Sequence, residues 1–488
     1  MAQICVTVTG RTMEEVRRAR DAAAGADLVE VRLDGVERPD PAAALEGRLG
    51  PMIVTCRPRW EGGAFDGSEE ERRRLLLAAV DEGAEFVDVE HRASFAAEIV
   101  GLRQGRGVIV SSHQFEAGHV DVAGRLRALR ATGAEIVKLA VAVDSLSATL
   151  PLFELGEAAA HDQTVGQGHV LIAMGPRGAH TRVLAARLRN RWTYAGEAIA
   201  PGQMPASQLL EEFTFKRIRP ETHLYGVVGS PVAHSLSPAM HNAGFAQAGL
   251  AAAYVALDAK DADDFVTFAQ AMNMRGASIT APFKVDLLAH ADDCDPLARE
   301  VGAINTLAMR DGRWLGTNTD VDGLVAPLAE RIPLRGTRAA VLGAGGAARA
   351  AVVGLKREGA RVQVCARRPD QAEKLATALG VEPGTFPPAP GSWDVLVNTI
   401  PAHEGQQGSP IAGTALDGRI VFDLTYAPEV TPLISQAREA GCATIGGIEM
   451  LTRQAERQFE LWTGAPPPPG LFRAAADAAR ARKTGVRS

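Results

Sequence analysis

The sequence lacks several features that would assign it at once to a well-known class of protein. Its five cysteines are scattered without a Cys-X-X-Cys pair, which argues against a disulfide framework or a zinc site and fits a reducing cytosol. The net charge of −6 gives no reason to expect nucleic acid or an anionic membrane as a partner. No apolar run is long enough to span a bilayer, and no signal-peptide pattern precedes the first predicted strand. We therefore expect a cytoplasmic protein whose partners are small molecules.

What the chain does contain is enough apolar sequence for large cores. It has 488 residues, of which 46% are hydrophobic and 23% charged, and this predicts two to four globular domains. The first half alternates short β-rich runs with amphipathic stretches. The eight predicted strands cover residues 4–9, 28–34, 52–57, 86–90, 108–113, 135–141, 170–175 and 192–195. This alternation predicts a (β/α)8 barrel, in which the second connection, residues 39–49, is barely helical.

The second half predicts two further α/β lobes. A charged segment at residues 211–221 is the predicted linker, and a new βα pattern starts at Leu224. A buried strand that runs into a glycine turn, residues 338–343, begins the last lobe. The predicted domains are a barrel at 1–210, a substrate-side lobe at 222–322 completed by 450–488, and a Rossmann dinucleotide-binding lobe at 323–449.

Lys138 has the most unusual setting in the first half. It lies in the apolar run 135–141, where an ammonium group is costly to desolvate unless it is paired or loses its proton. A lysine driven toward neutrality is a nucleophilic amine, the kind that forms Schiff bases with carbonyl substrates. The alternative is a lysine that reaches solvent or pairs with a carboxylate, and this segment alone favours that alternative.

Other polar residues of the first half gather at the carboxyl ends of predicted strands, where barrel enzymes place their chemistry. Glu30, Arg32 and Asp34 alternate with apolar residues and so share one face, as a salt-bridge layer or as a functional set. His113 ends the strand next to that of Lys138, which makes it a candidate general acid/base. The remaining candidates at strand ends or in the following loops are Arg57, Glu61, Asp88, Glu90, Arg182 and Gln203.

These residues, in this order and spacing, resemble type I 3-dehydroquinate dehydratase from the first strand to about residue 205. The motifs are Glu30-X-Arg32-X-Asp34, Arg57-X3-Glu61-Gly-Gly, Asp88-X-Glu90, Ser112-His113, Lys138, Met174-Gly-X2-Gly-X3-Arg182 and Ala200-Pro-Gly-Gln203. The resemblance implies that Lys138 forms an imine with a substrate ketone, and that His113, oriented by Glu61, removes the adjacent proton and then donates it to the departing hydroxyl. It also implies that the substrate carboxylate and hydroxyls are bound by Arg182, Glu30, Arg32, Arg57 and Gln203.

The first half departs from this family at two positions. Ile199 stands where the family often has serine, which affects one hydroxyl contact in the loop that covers the site. Gln114 follows the histidine where an Asp-Phe pair is common.

A glycine-rich turn in the second half is a candidate phosphate-binding site. It follows a strand and opens a helix, the setting in which glycines let a backbone approach a pyrophosphate, and it consists of Gly343, Ala344, Gly345, Gly346 and Ala347. The next strand ends near Arg367 and Arg368 where NAD-binding folds have an acid. This favours a ribose 2′-phosphate and hence NADPH, the alternative being two surface arginines without a partner.

Further polar residues of this half carry weak signals when each is taken alone. Ser235 and Ser237 precede Pro238 and indicate helix capping more than binding. Lys284, just past an apolar strand, is most simply a solvated charge. Asn305 and the run 316–320 lie in polar loops between apolar segments.

As a set, these motifs resemble shikimate dehydrogenase from about residue 222 to the C-terminus. They are Ser235-X-Ser237-Pro, Thr280-X-Pro-Phe-Lys284, Gly302-Ala-Ile-Asn305-Thr, Asn318-Thr-Asp320-X2-Gly323 and Gly447-Ile-Glu-Met-Leu-Thr-Arg-Gln454. The resemblance implies that Lys284 and Asp320 relay a proton while NADPH supplies hydride to a ketone. It implies that the other ligands of substrate and cofactor are Ser235, Ser237, Thr280, Asn305, Tyr426, Gln454, Thr399 and Gly447.

The departures in this half are Ser278 where asparagine is usual, Ala366 in place of another asparagine, and a run Asn398-Thr-Ile-Pro401 without the usual Gly-Met. They affect the fit of cofactor and substrate more than chemical competence.

The two resemblances fit consecutive reactions, in the order of the bifunctional enzymes of plants. The first half would dehydrate 3-dehydroquinate to 3-dehydroshikimate, and the second would reduce that product to shikimate. One alternative is a second half that prefers quinate or NAD. Another is a metabolite sensor without catalysis, against which the intact Lys138, His113, Lys284 and Asp320 argue. Each half carries its own catalytic set, so we expect two independent sites on halves that separate in the linker.

Overall fold

The computed structural model describes residues 2–23, 25–118, 120–161, 166–196, 202–401 and 408–483. By its internal contacts the chain forms two compact units. The first comprises Met1–His223 together with Ala251–Asn273, and the second comprises Leu224–Leu250 together with Met274–Ser488. Among the helices that the structure describes, none combines the length and apolar character needed to cross a membrane.

The first unit contains the eight-stranded parallel barrel that the sequence predicts. Its strands are β1 (Gln3–Val8), β2 (Leu28–Arg32), β3 (Met52–Thr55), β4 (Phe86–Glu90), β5 (Val108–Gln114), β6 (Ile136–Ala142), β7 (Gly168–Met174) and β8 (Trp192–Ala195). Its helices are α1 (Met13–Ala22), α2 (Pro41–Leu45), α3 (Glu69–Asp81), α4 (Ala96–Leu102), α5 (Val122–Arg130), α6 (Leu150–His161), α7 (His180–Val183) and α8 (Ala206–Glu211). The strand order β7-β6-β5-β4-β3-β2-β1-β8 is that of a barrel opened at one seam.

A side chain bridges the seam between β7 and β8. In the described part of the chain these two strands share no backbone ladder. Asn190 instead accepts a hydrogen bond from the amide of Leu171 and donates one to its carbonyl, both at 2.9 Å. This buried asparagine replaces a missing rung and satisfies backbone groups that would otherwise be unpaired.

The short helix α2 also agrees with the sequence. Asp40 caps it by accepting the amides of Ala42 and Ala43, and Pro41 occupies the first helical position, where its missing N–H costs nothing. The helix ends after Leu45, so the second connection contains little more than one turn.

The predicted linker, residues 211–221, is packed and not extended. Phe213, Phe215 and Ile218 are buried, and Lys216 forms a salt bridge with Asp27. The charges that suggested a linker alternate with these buried apolar residues, and the segment belongs by its contacts to the first unit.

The elements of the second half follow in chain order. They are β9 (His223–Gly229), α9 (Ser237–Gln247), β10 (Ala252–Asp258), α10 (Ala262–Ala271), β11 (Gly276–Ile279), β12 (Asp293–Cys294), α11 (Pro296–Val301), β13 (Thr306–Arg310), β14 (Arg313–Thr317), α12 (Asp320–Ala329), β15 (Arg338–Leu342), α13 (Gly346–Arg357), β16 (Arg361–Cys365), α14 (Pro369–Leu379), β17 (Glu382–Pro383), β18 (Val395–Asn398), β19 (Ile420–Asp423), α15 (Pro432–Glu439), β20 (Ala443–Gly446), α16 (Gly447–Thr463) and α17 (Leu471–Lys483). Of these, β10 and α10 belong by their contacts to the first unit, although they lie within the predicted substrate-side lobe, residues 222–322.

The second unit is built on two sheets. In one of them, the strands that this unit contributes have the order β9-β11-β13-β14-β12, with β11–β13 and β13–β14 antiparallel. The other is fully parallel with the order β17-β16-β15-β18-β19-β20, which confirms the Rossmann lobe. Its chain order reverses at β15, between β16 and β18, and such a switch point is where open α/β sheets bind ligands. Apolar side chains cover both faces of this sheet.

Candidate active sites

Lys138 lies inside the barrel on β6, opposite Ser111 of β5. Its side chain is 7% exposed, and Nζ lies 3.0 Å from Oδ2 of Asp88 and 3.6 Å from Oε1 of Glu30. Nζ also lies 4.1 Å from the ring centroid of Tyr194, a cation–π contact. The lysine is therefore paired with carboxylates, the alternative that the sequence left open, and these carboxylates offset the cost of burying its charge.

Arg57 joins the carboxylates beneath Lys138 into one network. Its guanidinium donates to Asp88 at 2.9 Å, to Glu90 at 2.6 Å and to the hydroxyl of Ser111 at 2.7 Å. Burial by itself would raise the pKa of Asp88, but Arg57 and Lys138 outweigh it and hold this pKa well below its usual range. The resemblance implies that Arg57 binds a substrate hydroxyl, whereas the structure places both of its terminal nitrogens on protein carboxylates.

Arg72 is a residue of this network that the sequence did not reveal. It lies on α3, is fully buried, and its guanidinium contacts the carboxylate of Glu90 and the carbonyl of Cys56. Arg72 is the first of three consecutive arginines in a charged helix, a pattern typical of a solvent-exposed face. The local sequence therefore does not indicate which of the three side chains is buried.

His113 and Glu61 form a pair at the carboxyl end of β5. Oε2 of Glu61 accepts the backbone amide of His113 at 2.8 Å and lies 2.9 Å from its Nδ1. Burial, with a further contribution from the nearby Arg57, lowers the pKa of His113 well below its usual value. Burial also raises the pKa of Glu61 to about 7. A neutral imidazole that donates Nδ1–H to Glu61 leaves the lone pair of Nε2 as a base.

An aromatic ring packs against this histidine. Phe115 is stacked on His113 with the ring centroids 6.1 Å apart. A Cβ on Gly62 would lie 2.3 Å from the Phe115 ring, and Gly62 also has a positive φ of 76°. The Glu61-Gly-Gly turn thus needs glycine both for its backbone conformation and for the approach of this ring.

The carboxylate of Glu30 accepts hydrogen bonds from two hydroxyl groups, which hold it next to Lys138. Thr7 and Thr55, on the neighbouring strands, each donate to its carboxylate at 2.9 Å. Gln203 lies 3.4 Å from the hydroxyl of Thr7, so the predicted residues Glu30 and Gln203 share one side of the barrel mouth.

Arg32 is engaged with Asp34 and not with the Lys138 network. Its guanidinium donates to both carboxylate oxygens of Asp34, at 2.6 and 2.7 Å. Asp34 also accepts the amides of Arg57 and Ala64, and these bonds, with Arg32, outweigh burial and lower its pKa. The alternating Glu30, Arg32 and Asp34 therefore include a structural salt bridge.

Arg182, the predicted carboxylate ligand, lies on the single-turn helix α7. It is buried and donates to the carbonyl of Ala173 at 3.2 Å, and burial lowers its pKa to about 10. Ile199 and its neighbours at 197–201 lie outside the described residues, so the departure at 199 has no structural account here.

The second unit brings Lys284, Asp320 and Asn305 together. Nζ of Lys284 lies 2.5 Å from Oδ2 of Asp320, and the other oxygen of this carboxylate accepts the amide of Asn305 at 2.8 Å. The same amide lies 3.2 Å from Oε1 of Gln454. Four predicted site residues, Gln454, Asn305, Asp320 and Lys284, thus form a continuous hydrogen-bonded row, so this lysine is not a solvated charge.

The structure gives the remaining predicted substrate ligands of this half mainly local contacts. Ser235 accepts a hydrogen bond from the amide of Ser237 at 3.2 Å. Ser237 is the first residue of α9 and so is not its N-cap, which is Leu236. Thr280 follows β11 and donates its backbone amide to Val228 at 2.9 Å. Tyr426 is half-buried, and burial raises its pKa.

Gln458 supports the row and was missed by the sequence analysis. It is fully buried, accepts the hydroxyl of Ser278 at 2.7 Å, and donates to the carbonyl of Asn305 and the hydroxyl of Thr306. The signal that could have found it is its position four residues after Gln454, on the same face of α16.

The glycine turn after β15 lies against the catalytic lysine candidate. A Cβ on Gly346 would be 2.9 Å from Cβ of Lys284, and one on Gly343, where φ is +111°, would be 2.5 Å from Oγ1 of Thr399. Gly345 precedes α13 without a side-chain cap, and a Cβ there would meet nothing within 4 Å. An uncapped helix start in open space beside Lys284 fits the pyrophosphate of a dinucleotide.

The other predicted cofactor residues lie in the glycine turn, at the start of α16 or beyond the end of β16. Ala344 and Ala347 are half-buried within it. Gly447 begins α16, where a Cβ would lie 2.2 Å from the carbonyl of Leu424. Arg367 and Arg368 are exposed beyond the end of β16. Fixed positive charge near the end of this strand fits a 2′-phosphate.

Comparisons with known proteins agree with both halves. The family model for type I 3-dehydroquinase matches residues 4–220, the shikimate dehydrogenase substrate binding domain matches 227–307, and the shikimate 5′-dehydrogenase C-terminal domain matches 447–476. The chain is 34% identical to the chloroplastic bifunctional 3-dehydroquinate dehydratase/shikimate dehydrogenase of Arabidopsis thaliana, over 96% of this chain and 83% of the plant protein.

The second half has separate relatives. A shikimate dehydrogenase (NADP(+)) of Anaeromyxobacter sp. is 40% identical over 54% of this chain and 98% of that protein. A crystal structure of shikimate dehydrogenase in complex with NADP+ matches with a TM-score of 0.51 at 30% identity, covering 54% of this chain and 96% of the other. Neither the alternative of quinate and NAD nor that of a sensor is favoured by these relatives. The chain belongs to the family of bifunctional 3-dehydroquinate dehydratase/shikimate dehydrogenases, shikimate-pathway enzymes that use NADP(H).

Proposed function

We propose that the barrel dehydrates 3-dehydroquinate to 3-dehydroshikimate through an imine on Lys138. The observation that supports this best is the grouping of a buried amine, Asp88 and the His113–Glu61 pair at adjoining strands of one barrel. The neutral amine of Lys138 attacks the ketone and water is released, and the carboxylate of Asp88, 3.0 Å away, stabilises the positive charge of the iminium.

His113 then acts on the carbon next to the imine. The iminium draws electrons from this carbon, so the neutral imidazole can remove its proton at Nε2. The resulting enamine expels the β-hydroxyl as water, which receives the proton from His113. Hydrolysis of the remaining imine frees the product and restores Lys138. Glu61 holds the ring through Nδ1 and stabilises its cation while it carries the proton.

Arg182 is proposed to hold the carboxylate of the substrate. Its guanidinium is buried, so an anion would meet it with little competition from water. Glu30 and Gln203 are proposed as hydroxyl ligands, with Glu30 kept in place by Thr7 and Thr55.

The proposed reaction of the second unit is the reduction of 3-dehydroshikimate to shikimate. The glycine turn 343–347, Thr399 and Gly447 would hold NADPH, which supplies the hydride when bound. Lys284 is proposed to donate a proton to the oxygen of the ketone, and Asp320 to return one to the lysine over 2.5 Å. Asn305 and Gln454 fix Asp320 and bind hydroxyls, while Ser235, Ser237, Thr280 and Tyr426 complete the substrate side.

The five cysteines support a reducing compartment, and we propose the cytoplasm. All five are unpaired, and four of them are buried. The proposed partners are the small molecules 3-dehydroquinate, 3-dehydroshikimate, shikimate and NADP(H).

Borohydride trapping tests the proposed chemistry of the barrel. Reduction in the presence of 3-dehydroquinate should leave a covalent adduct on the Lys138 peptide, detected by mass spectrometry. The His113→Ala variant should still form it but turn over roughly 10²–10⁴-fold more slowly, the usual contribution of a general acid/base. An adduct that persists in Lys138→Ala would refute the assignment.

The Lys284→Ala variant tests the second reaction. A group used mainly in the transition state should lower kcat more than it raises KM. If only KM changes, Lys284 is a ligand of the substrate and not the proton donor.

A further inference from the structure

Residues 251–273, which contain β10 and α10, pack with the barrel although they follow it by many residues in the chain. They belong by their contacts to the first compact unit. The dehydratase resemblance ends at about residue 205 and the dehydratase family match at 220, so neither gives them a role in that enzyme. The match to the shikimate dehydrogenase substrate binding domain, residues 227–307, spans them.

Asp264 holds the loop that follows β6, the strand of Lys138. Its carboxylate is buried and accepts the amides of Leu146 and Ser147, both at 2.9 Å, and that of Lys260 at 3.0 Å. Burial by itself would raise the pKa of Asp264, but these backbone hydrogen bonds outweigh it and lower the pKa. The ionised carboxylate of Asp264, on α10, therefore caps the free backbone amides of the turn that leads into α6.

Phe268, one turn further along α10, packs against the start of α7. Its ring meets that of His180 edge-on, with the centroids 5.0 Å apart at 76°. The ring of Phe153, on α6, stacks on the ring of His180 with the centroids 6.1 Å apart. It also meets the ring of Phe268, at a centroid distance of 6.5 Å. His180 is buried, and its Nε2 lies 3.2 Å from the hydroxyl of Thr149. The three rings thus join α6, α7 and α10.

Two arginines beside α7 also contact this segment. Arg177, just before the helix, lies 3.7 Å from the carboxylate of Asp258, and Arg187, just after it, donates to the carbonyl of Met272 at 3.3 Å. The segment therefore contacts the chain before, within and after α7.

This matters because α7 is a helix of only four residues and has no side-chain cap. One turn of helix has little stability of its own, so its position depends on what packs against it. Arg182 lies on this turn, two residues after His180, and is the proposed ligand of the substrate carboxylate.

We propose that residues 251–273 are a working part of the dehydratase: through Asp264 and Phe268 they position α7, and with it Arg182, for the carboxylate of 3-dehydroquinate. The proposal rests on the carboxylate-binding role proposed for Arg182. Asp264 and Phe268 are positioning residues, since neither would touch the substrate.

The test uses the full-length protein with the variants Asp264→Ala and Phe268→Ala. Each should raise the KM for 3-dehydroquinate about tenfold, since displacing a hydrogen bond to a charged group costs on the order of a tenfold change in affinity, while kcat stays within about twofold. Phe268→Leu, which keeps an apolar side chain, should restore most of the KM. Asp263→Asn, an exposed neighbour in the first turn of α10, is the matched control and should leave both constants unchanged.

A double-mutant cycle separates positioning through Arg182 from a general loss of stability. In the Arg182→Ala background, Phe268→Ala should raise KM by less than about twofold, because the contact it positions is already gone. If both single variants fold, by circular dichroism, and keep the KM of the unmutated protein while Arg182→Ala raises it, the positioning proposal is overturned and the role of Arg182 survives. If Arg182→Ala itself leaves KM unchanged, the proposed role of Arg182 fails instead. Equal effects of Phe268→Ala in both backgrounds would also overturn the proposal.

Discussion

Lys138 and Lys284 each lie next to a buried carboxylate, but their surroundings differ in kind. Lys138 is 7% exposed and belongs to a network that contains Asp88 and Arg57. Lys284 is 16% exposed and ends a row of hydrogen bonds next to a glycine turn. The first setting suits an amine enclosed with its substrate, and the second suits a donor placed between substrate and cofactor.

Cofactor choice is predicted to depend on Arg367. An exposed guanidinium beyond the end of β16 can pair with a ribose 2′-phosphate through two hydrogen bonds. Arg367→Asp should raise the KM for NADPH by at least about tenfold, while NADH, which lacks the phosphate, should be affected little. The measurement is the ratio of kcat/KM for the two cofactors, with Arg361→Asp at the opposite end of β16 as the control. A ratio that does not change would assign the phosphate to other residues.

At the scale of single elements, the sequence predicted strands better than it predicted the direction of charged side chains. All eight barrel strands were found within two residues of their predicted ends, because apolar β-branched runs between polar turns are a local signal. The buried position of Arg72 on α3 was not predicted, because its side chain is directed inward by Glu90, which lies on β4 and is distant in the sequence. The packing of segment 211–221 and the contacts of residues 251–273 could not be deduced from the sequence, because both depend on residues distant in the chain.

The candidate sites were predictable to a similar extent. The pairs His113–Glu61 and Lys284–Asp320 agree with what the resemblance implies. The salt bridge between Arg32 and Asp34 was one of the two alternatives that the sequence left open. The engagement of Arg57 with Asp88 and Glu90 could not be deduced, because a sequence does not show which acids face an arginine. Gln458 was missed for the same reason, although its spacing from Gln454 gave a hint.

Helix α3 is predicted to anchor the Lys138 network through Arg72. Arg72→Ala would leave Glu90 buried with one partner fewer, and removing one member of a buried ion pair costs roughly 3–5 kcal/mol. Arg74→Ala, two residues along the same helix, removes an exposed arginine whose nearest carboxylate, Glu70, is 4.0 Å away, and should cost less than about 1 kcal/mol. The free energy of unfolding of both variants, measured in urea, checks this prediction. Equal losses of stability would show that Arg72 does not stabilise the network.

Helix α7 is predicted to make the first unit sensitive to acid through His180. Burial, the main cause, lowers the pKa of His180 to about 4, below the unfolded value of about 6.5. The unfolded chain therefore takes up this proton first, so the stability is fully present above about pH 6.5 and is lost as the pH falls toward 4.

The loss should be on the order of 3 kcal/mol between these two pH values. His180→Phe keeps an aromatic ring in the cluster and should flatten the dependence of unfolding free energy on pH over this range. An unchanged slope in the variant would mean that other groups dominate the acid response.

At the scale of the whole molecule, the chain order and the compact units do not coincide. Residues 251–273 follow β9 of the second unit yet pack in the first. Cutting the chain in residues 211–221 would therefore separate the barrel from a segment of its own unit, which argues against the expectation that the halves separate there into two active fragments. Each proposed set of catalytic residues nevertheless lies within a single unit, so the two reactions should remain chemically independent.

The most direct test of two independent sites on one chain is shikimate formation from 3-dehydroquinate and NADPH, followed by chromatography and by NADPH absorbance. The unmutated protein should form shikimate. Lys138→Ala should reduce only added 3-dehydroshikimate, and Lys284→Ala should only accumulate 3-dehydroshikimate. Mixing these two variants should restore shikimate formation, because the intermediate can pass through solution. Loss of both reactions in either well-folded variant, or no shikimate from the mixture, would contradict the account.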